Sequence, residues 1–235
     1  MKARLFLFPT ALGDTDLNNV LPSYNIKLIS EIRHFIVEDL RSARRFLKKC
    51  DRTIDIDTLT FFELNEHTPV ADIAPMIQPL LDGHDMGVLS EAGCPAVADP
   101  GADVVALAQQ KNIQVVPLVG PSSILLALMA SGFNGQSFAF NGYLPLAGDD
   151  RKKSIHRMEQ RIFNEAQTQL FIETPYRNEK TFADLLLYGR PETRLCVAYD
   201  LTLSTECIRT LSLREWKQQA TPDFLKKPCL FALYR

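Results

Sequence analysis

Short apolar runs that suit strands alternate with helix-spaced segments along the first half of the chain, and that alternation restricts the fold to a parallel α/β sheet. RLFLF (Arg4–Phe8) and the runs at residues 32–39, 57–64, 86–90 and 113–118 are rich in β-branched or aromatic residues and predict strands. Residues 42–49, 71–81 and Ala102–Gln110 carry apolar side chains at helical spacing and predict the intervening helices. After Gly120 the pattern changes. An apolar helix is expected over residues 122–131, with Pro121 and two serines at its start where free N–H groups need a cap or an anion. A loop at 144–151 leads to a polar helix over 152–166. Strands follow at 168–174 and 194–200 around a helix near 179–187, and a last pair, 207–213 and Cys229–Tyr234, flanks Trp216. The expectation is an α/β chain of two domains, a parallel N-terminal sheet (1–118) and a C-terminal α+β domain with mixed strands (119–235).

Charge and cysteine content narrow the function. With 26 Lys+Arg against 28 Asp+Glu the net charge is -2, so no global basic field exists and any contact with RNA must be local. Cys50, Cys94, Cys196, Cys207 and Cys229 form no C-x-x-C pair, which argues against a disulfide framework or a zinc site and suits a reducing cytoplasm. The apolar start, MKARLFLFPTALGD, breaks at Pro9 and reads as a strand rather than a signal peptide. No charge occurs between Lys111 and Asp149, yet Gly120, Pro121 and Gly132 interrupt this stretch, so buried core is expected and no membrane span.

Phosphate-loop, G-x-G-x-x-G, G-x-S-x-G and H-E-x-x-H motifs are absent, and His34, His67, His84 and His156 lie apart. His67 reads as a polar loop residue rather than a ligand, and no metal is expected. What stands out is three loops rich in Gly, Pro and small residues, each after a strand: PTALGD (9–14), SEAGCPAVADPG (90–101) and GPSS (120–123). In open α/β sheets, ligands bind beyond the carboxyl ends of the strands.

These loops, together with VEDLR (37–41), VPLVGPSS, SGF and FAFNGYLP, resemble the tetrapyrrole methylase superfamily of S-adenosylmethionine-dependent methyltransferases. Within it the sequence is similar to the branch that methylates small-subunit ribosomal RNA on a cytidine 2′-hydroxyl. Residues 88–145 carry the specific part, and IETPYR (172–177) and RLCVAYDLT extend it over nearly the whole chain. The resemblance implies a cofactor cleft between the two domains, S-adenosyl-L-methionine as cofactor with S-adenosyl-L-homocysteine as product, a homodimer, and RNA or the ribosomal small subunit as acceptor. The tetrapyrrole-modifying branch opens on a glycine-richer loop. A tetrapyrrole or other small acceptor, and a binding or assembly protein that has lost catalysis, remain the alternatives.

By the same resemblance Pro9 and Ala11 border the methyl group, and Tyr143, Ile172 and Ala198 line the adenine side. Ala92 and Gly93 lack bulk, so backbone amides can approach the cofactor, and Gly93→Val is expected to block it without unfolding the chain. Val97 and Ala98 offer a small apolar wall. Ser122 and Ser123 either bind a cofactor carboxylate or hydroxyl or merely cap their helix. Glu91 either orients backbone or touches ligand. A ribose acceptor needs a carboxylate to take its proton, and Glu38, Asp39 and Glu173 are the candidates; a helix-start or Arg41-pairing role is the alternative for Glu38 and Asp39. Asp14, Leu40, Glu91 and Cys94 depart from the usual Asn, Thr, Asp and Thr, IETPYR departs from E-S-x-H-R, and KKPCLF lacks an acidic residue. These departures gather on the acceptor side. RKKSIHRMEQR (151–161) is either a solvated helix face or, through Arg151, Lys152, Lys153, Arg157 and Arg161, a phosphate-contacting edge.

Overall fold

A computed structural model describes residues 3–146, 148–224 and 227–235. Ala147 of the 144–151 segment and Lys226 of KKPCLF lie outside the described residues. The chain forms two compact units, Met1–Ser122 and Ser123–Arg235.

The first unit holds β1 (Arg4–Phe8), α1 (Ser23–Ile29), β2 (His34–Val37), α2 (Leu40–Cys50), β3 (Thr60–Glu63), α3 (Val70–Met76), α4 (Gln78–Leu81), β4 (Met86–Leu89), α5 (Ala102–Gln110) and β5 (Gln114–Pro117). Its five strands form a parallel sheet in the order β3-β2-β4-β1-β5. Alternation along each strand sorts side chains to two buried faces, as a parallel sheet covered on both sides requires. Leu5, Ile36, Met86 and Val88 pack with Ile73, Ile77, Leu80 and Val104 on one face. Phe6, Phe8, Phe35 and Val37 pack with Leu28, Ile29, Ala43 and Leu47 on the other. The helix expected at 71–81 is split at Ile77, because Pro79 has no N–H to continue the ladder. The strands expected at 32–39 and 57–64 are shorter, since residues on either side turn into loops, a 3-10 turn and the α2 cap. α1 was not anticipated.

The second unit holds α6 (Ser123–Ser131), β6 (Phe138–Tyr143), α7 (Gly148–Glu165), β7 (Thr168–Glu173), α8 (Asn178–Tyr188), β8 (Arg194–Tyr199), β9 (Cys207–Ser212), α9 (Leu213–Trp216) and β10 (Cys229–Tyr234). The sheet order is β6-β7-β10-β8-β9, with β6 parallel to β7 and every other pairing antiparallel. One face buries Ile155, Met158, Phe182, Leu185 and Trp216 over Phe171, Val197 and Phe231. β6 escaped the sequence pattern because its register slips between Phe140 and Tyr143, where Gly142 takes a positive φ of 63°. α7 begins at Gly148, four residues before the expected 152. Asp149 and Asp150 are loop-like by composition, but in a first turn they meet the positive end of the helix dipole. Among the described residues no helix is long and apolar enough to cross a membrane.

Candidate active site

Three loops leave the carboxyl ends of β1, β4 and β5, and short contacts lock them together within the first unit. Thr10 and Gly93 exchange backbone hydrogen bonds, Thr10 N–H to Gly93 O at 2.9 Å and Gly93 N–H to Thr10 O at 3.2 Å. The Ser90 hydroxyl donates to Gly93 O at 2.6 Å and lies 3.3 Å from the Thr10 hydroxyl. Cys94 Sγ reaches Pro121 O at 3.5 Å, tying the second loop to the third. Gly120 seats over buried Pro9, where an added Cβ would come within 2.4 Å of the proline ring. Pro9 therefore packs as a base for the third loop.

Gly93 adopts φ +82°, and a Cβ there would sit 3.2 Å from Leu12. The expectation for Gly93→Val is corrected: a β-branched residue strains the backbone itself, so lost binding reports the loop as much as the cofactor path. Ala96 and Ala98 also take left-handed conformations, with φ of 63° and 60°. Strain of this kind in non-glycine residues concentrates at ligand clamps and switches. Val97 and Ala98 are exposed, as are Glu91 and Ala92, whereas Ser122 and Ser123 are half-buried.

A cavity of about 560 Å³ opens beside these loops, within the usual range for small-molecule sites. Thr10 to Asp14, Leu89 to Ala92 and the α2 residues Ser42, Arg45 and Lys49 contribute to its wall. Of the residues expected at the cofactor, Ala11, Glu91 and Ala92 line this cavity. Pro9, Gly93, Val97, Ala98 and Ser122 belong to the same loops without lining it. Lys49 pairs with Asp14 at 2.6 Å, so the substitution of acid for the usual amide has a partner waiting for it.

Four carboxyl groups gather at this edge of the sheet with different fates. Asp39 is the N-cap of α2, accepting from Ser42 N–H at 2.7 Å, and this hydrogen bonding holds its carboxyl below the usual range. Of the two roles expected for it, this geometry matches the helix start. Glu38 and Asp99 line the same small cavity of about 10 Å³. Burial, then the Asp99 charge, pushes Glu38 up, and burial pushes Asp99 up as well, so the pair retains a proton beyond the normal carboxylate range. One oxygen of each, Glu38 Oε2 and Asp99 Oδ2, is buried without a hydrogen-bond partner among the described residues. Glu91 is also raised, first by burial and then by Asp39 and Glu38. Nothing local in SEAGCPAVADPG marks Asp99, because the carboxyl it faces, Glu38, follows another strand.

In the second unit Glu173, at the end of β7, is corrected as a candidate base. Both oxygens are taken: Arg177 Nη2 lies 2.6 Å from Oε1, Thr174 N–H donates to Oε1 at 2.9 Å, and the Thr181 hydroxyl donates to Oε2 at 2.8 Å. Arg151 is corrected too. Rather than facing solvent on a phosphate-contacting edge, it is completely buried, with Nη1 3.0 Å from Asp184 Oδ2 and Nε donating to Pro145 O at 2.7 Å. Lys152, Lys153 and Arg157 are exposed on α7, and Arg161 is half-buried. Tyr143 is exposed under the Arg177 guanidinium at 5.5 Å, Ile172 is half-buried on β7, and Ala198 is fully buried within β8.

No family model matches the chain. Solved structures share its fold over nearly its full length. The methyltransferase CobJ superposes with a TM-score of 0.64 at 14% identity, covering 99% of this chain and 93% of the other. Uroporphyrin-III C-methyl transferase from Thermus thermophilus, solved with S-adenosylhomocysteine, gives 0.58 at 18% identity, covering 99% and 98%. A parallel five-stranded unit followed by a mixed five-stranded one is thus the two-domain fold of the tetrapyrrole methylase class. Among curated relatives, ribosomal RNA small subunit methyltransferase I of Streptococcus pyogenes serotype M3 is 30% identical over 227 residues, 96% of this chain and 74% of the relative. The Vibrio cholerae protein of the same name is 29% identical over 211 residues, 90% and 69%. The chain belongs to the ribosomal RNA small subunit methyltransferase I family.

Proposed function

We propose that this protein methylates a ribose 2′-hydroxyl of small-subunit ribosomal RNA, with S-adenosyl-L-methionine as donor. Family membership supports the substrate class, and one observation carries the chemistry: the cavity beside the interlocked strand-end loops lies at the same sheet edge as the facing carboxyls of Glu38 and Asp99. The loops fit the cofactor because small residues, Ala11, Ala92 and Gly93, leave backbone groups open to close approach. Ala11, Glu91 and Ala92 would hold it from the cavity wall, with Pro9, Gly93, Val97, Ala98, Ser122 and Ser123 shaping the loops. When bound, S-adenosyl-L-methionine supplies a methyl group already activated on a sulfonium, so the protein's task is alignment, exclusion of water and removal of one proton.

Glu38 is the base in this reading. A carboxylate held above its ordinary range accepts a hydroxyl proton more readily than an ordinary one. Asp99 is a positioning residue: its carboxyl faces Glu38 across the small cavity, and its charge favours the protonated form of Glu38 once the proton is taken. Asp39 stiffens the start of α2 beside them.

The functional domains are taken as 1–118 and 119–235, and the working form as a cytoplasmic homodimer. Five free cysteines suit a reducing compartment. Exposed Leu125 and Met129, one turn apart on α6, suit a covered surface. Calorimetric titration with S-adenosylhomocysteine is expected to give about one equivalent per chain, and absence of binding would reject every enzymatic version. Transfer of label from S-adenosyl-L-methionine to unmethylated small ribosomal subunits is the decisive assay. Labelling of a uroporphyrinogen-type acceptor in place of RNA would overturn the choice of acceptor.

A further inference from the structure

Helix α2 carries Arg41, Arg44, Arg45, Lys48 and Lys49, all exposed. Their spacing of i, i+3, i+4, i+7 and i+8 draws a single cationic stripe, while Ala43 and Leu47 bury the opposite side. Helix stability accounts for Lys48 and Lys49, which lie in the last turn at the negative end of the helix dipole, but not for the arginines before them. The first turn holds no acidic residue, and Arg41 there faces the positive end of the helix dipole. Arg41 with Arg45, Arg44 with Lys48 and Arg45 with Lys49 are like charges four residues apart, each pair repulsive. Among the described residues only Lys49 of the five has an ion-pair partner, Asp14. In a chain whose net charge is -2, four cations without an ion-pair partner among the described residues, on one helix face, are a local concentration that composition alone hides.

The stripe also has a direction. Arg45 and Lys49 line the 560 Å³ cavity, so one edge of the stripe borders the space where the acceptor must enter. From Arg41 to Lys49 it runs about 12 Å at the helical rise, which matches about three phosphates of one nucleic-acid strand. Arginine predominates, and its planar fork grips phosphate oxygens in pairs.

We propose that the exposed face of α2 is the phosphate track of the RNA substrate, holding the strand that flanks the target nucleotide; the proposal rests on the ribosomal-RNA reading above. Arg41, Arg44 and Lys48 bind backbone without reading sequence, and Arg45 and Lys49 pass the strand to the cavity.

The test uses the full chain carrying R41Q, R44Q and K48Q, positions that do not line the cavity, with a 5′-labelled 20-nucleotide single-stranded RNA titrated by fluorescence anisotropy across KCl concentrations. Loss of three contacts is expected to weaken binding about tenfold or more near 100 mM salt and to make the log–log salt slope shallower by about 2. Titration with S-adenosylhomocysteine should be unchanged. Restoring charge with R41K and R44K should recover most of the slope, which a misfolded variant would not do. The triple change K152Q, K153Q and R157Q on α7 removes the same charge and should leave the slope as in the parent. Parental affinity and slope in the α2 variant, or an equal loss in both variants, overturns the track while the ribosomal-RNA reading stands. A parent that neither binds RNA nor labels small subunits removes that reading and this proposal together.

Discussion

Replacing Arg151 with methionine is expected to destabilise the second unit by about 3 kcal/mol. The guanidinium and both of its carboxylate neighbours are out of water, with side-chain exposures of 0% for Arg151 and Glu173 and 5% for Asp184. Removing one member of a buried ion pair typically costs about 3–5 kcal/mol, because the remaining charge keeps its desolvation penalty. The lower end applies, since Lys180 stays 3.0 Å from Asp184 and Arg177 2.6 Å from Glu173. The lost bond to Pro145 O adds an unsatisfied carbonyl at the entrance to α7. Trp216 is the only tryptophan and is buried in this unit's core, so its fluorescence in a urea titration reports the unit directly. If orphaned charge is the cause, R151M combined with D184L should recover most of the loss. A double variant less stable than R151M alone would sink that explanation.

The second large effect is on turnover. Glu38→Gln is expected to lower kcat by about 10²–10⁴, the usual contribution of a general base, with S-adenosylhomocysteine affinity nearly unchanged. The same substitution should raise stability. Burial places the Glu38 carboxyl above its ordinary value of 4.5, so the folded chain binds its proton more tightly than the unfolded chain does. Stability contributed by this group is therefore present at low pH and declines as pH rises from the ordinary carboxylate range through the raised value. Glutamine carries no charge to desolvate. The Tm of E38Q should exceed that of the parent at about pH 8 and converge with it towards about pH 4. Turnover lost while stability is gained marks a group kept for chemistry. If kcat falls less than threefold, the base lies elsewhere, and Glu91, also raised by burial at the cavity, is next to be replaced.

Alternation and spacing were enough to read the first sheet and four of the five strands of the second. In β1 the order Leu5, Phe6, Leu7, Phe8 already assigns each residue to a face, because side chains in a strand alternate whatever the neighbours are. The three strand-end loops were equally legible, since glycine and proline act through local backbone geometry. Where the local signal was interrupted the reading failed. The bulge at Gly142 hid β6, Pro79 split a helix that spacing made continuous, and acidic residues opening α7 passed for a loop.

Roles of individual charged residues were decided at another level. Glu38 and Asp39 are adjacent in sequence and alike in chemistry, yet Asp39 caps a helix while Glu38 is half-buried and faces Asp99. Arg151 and Lys152 are adjacent cations, and only the first turns inward to meet Asp184. The chain by itself determined strands, faces, loops and family, because these follow from periodicity and motif within a few residues. Which carboxylate retains a proton and which arginine is buried depends on desolvation and on partners brought from distant strands and helices, and those exist only once the tertiary structure has formed.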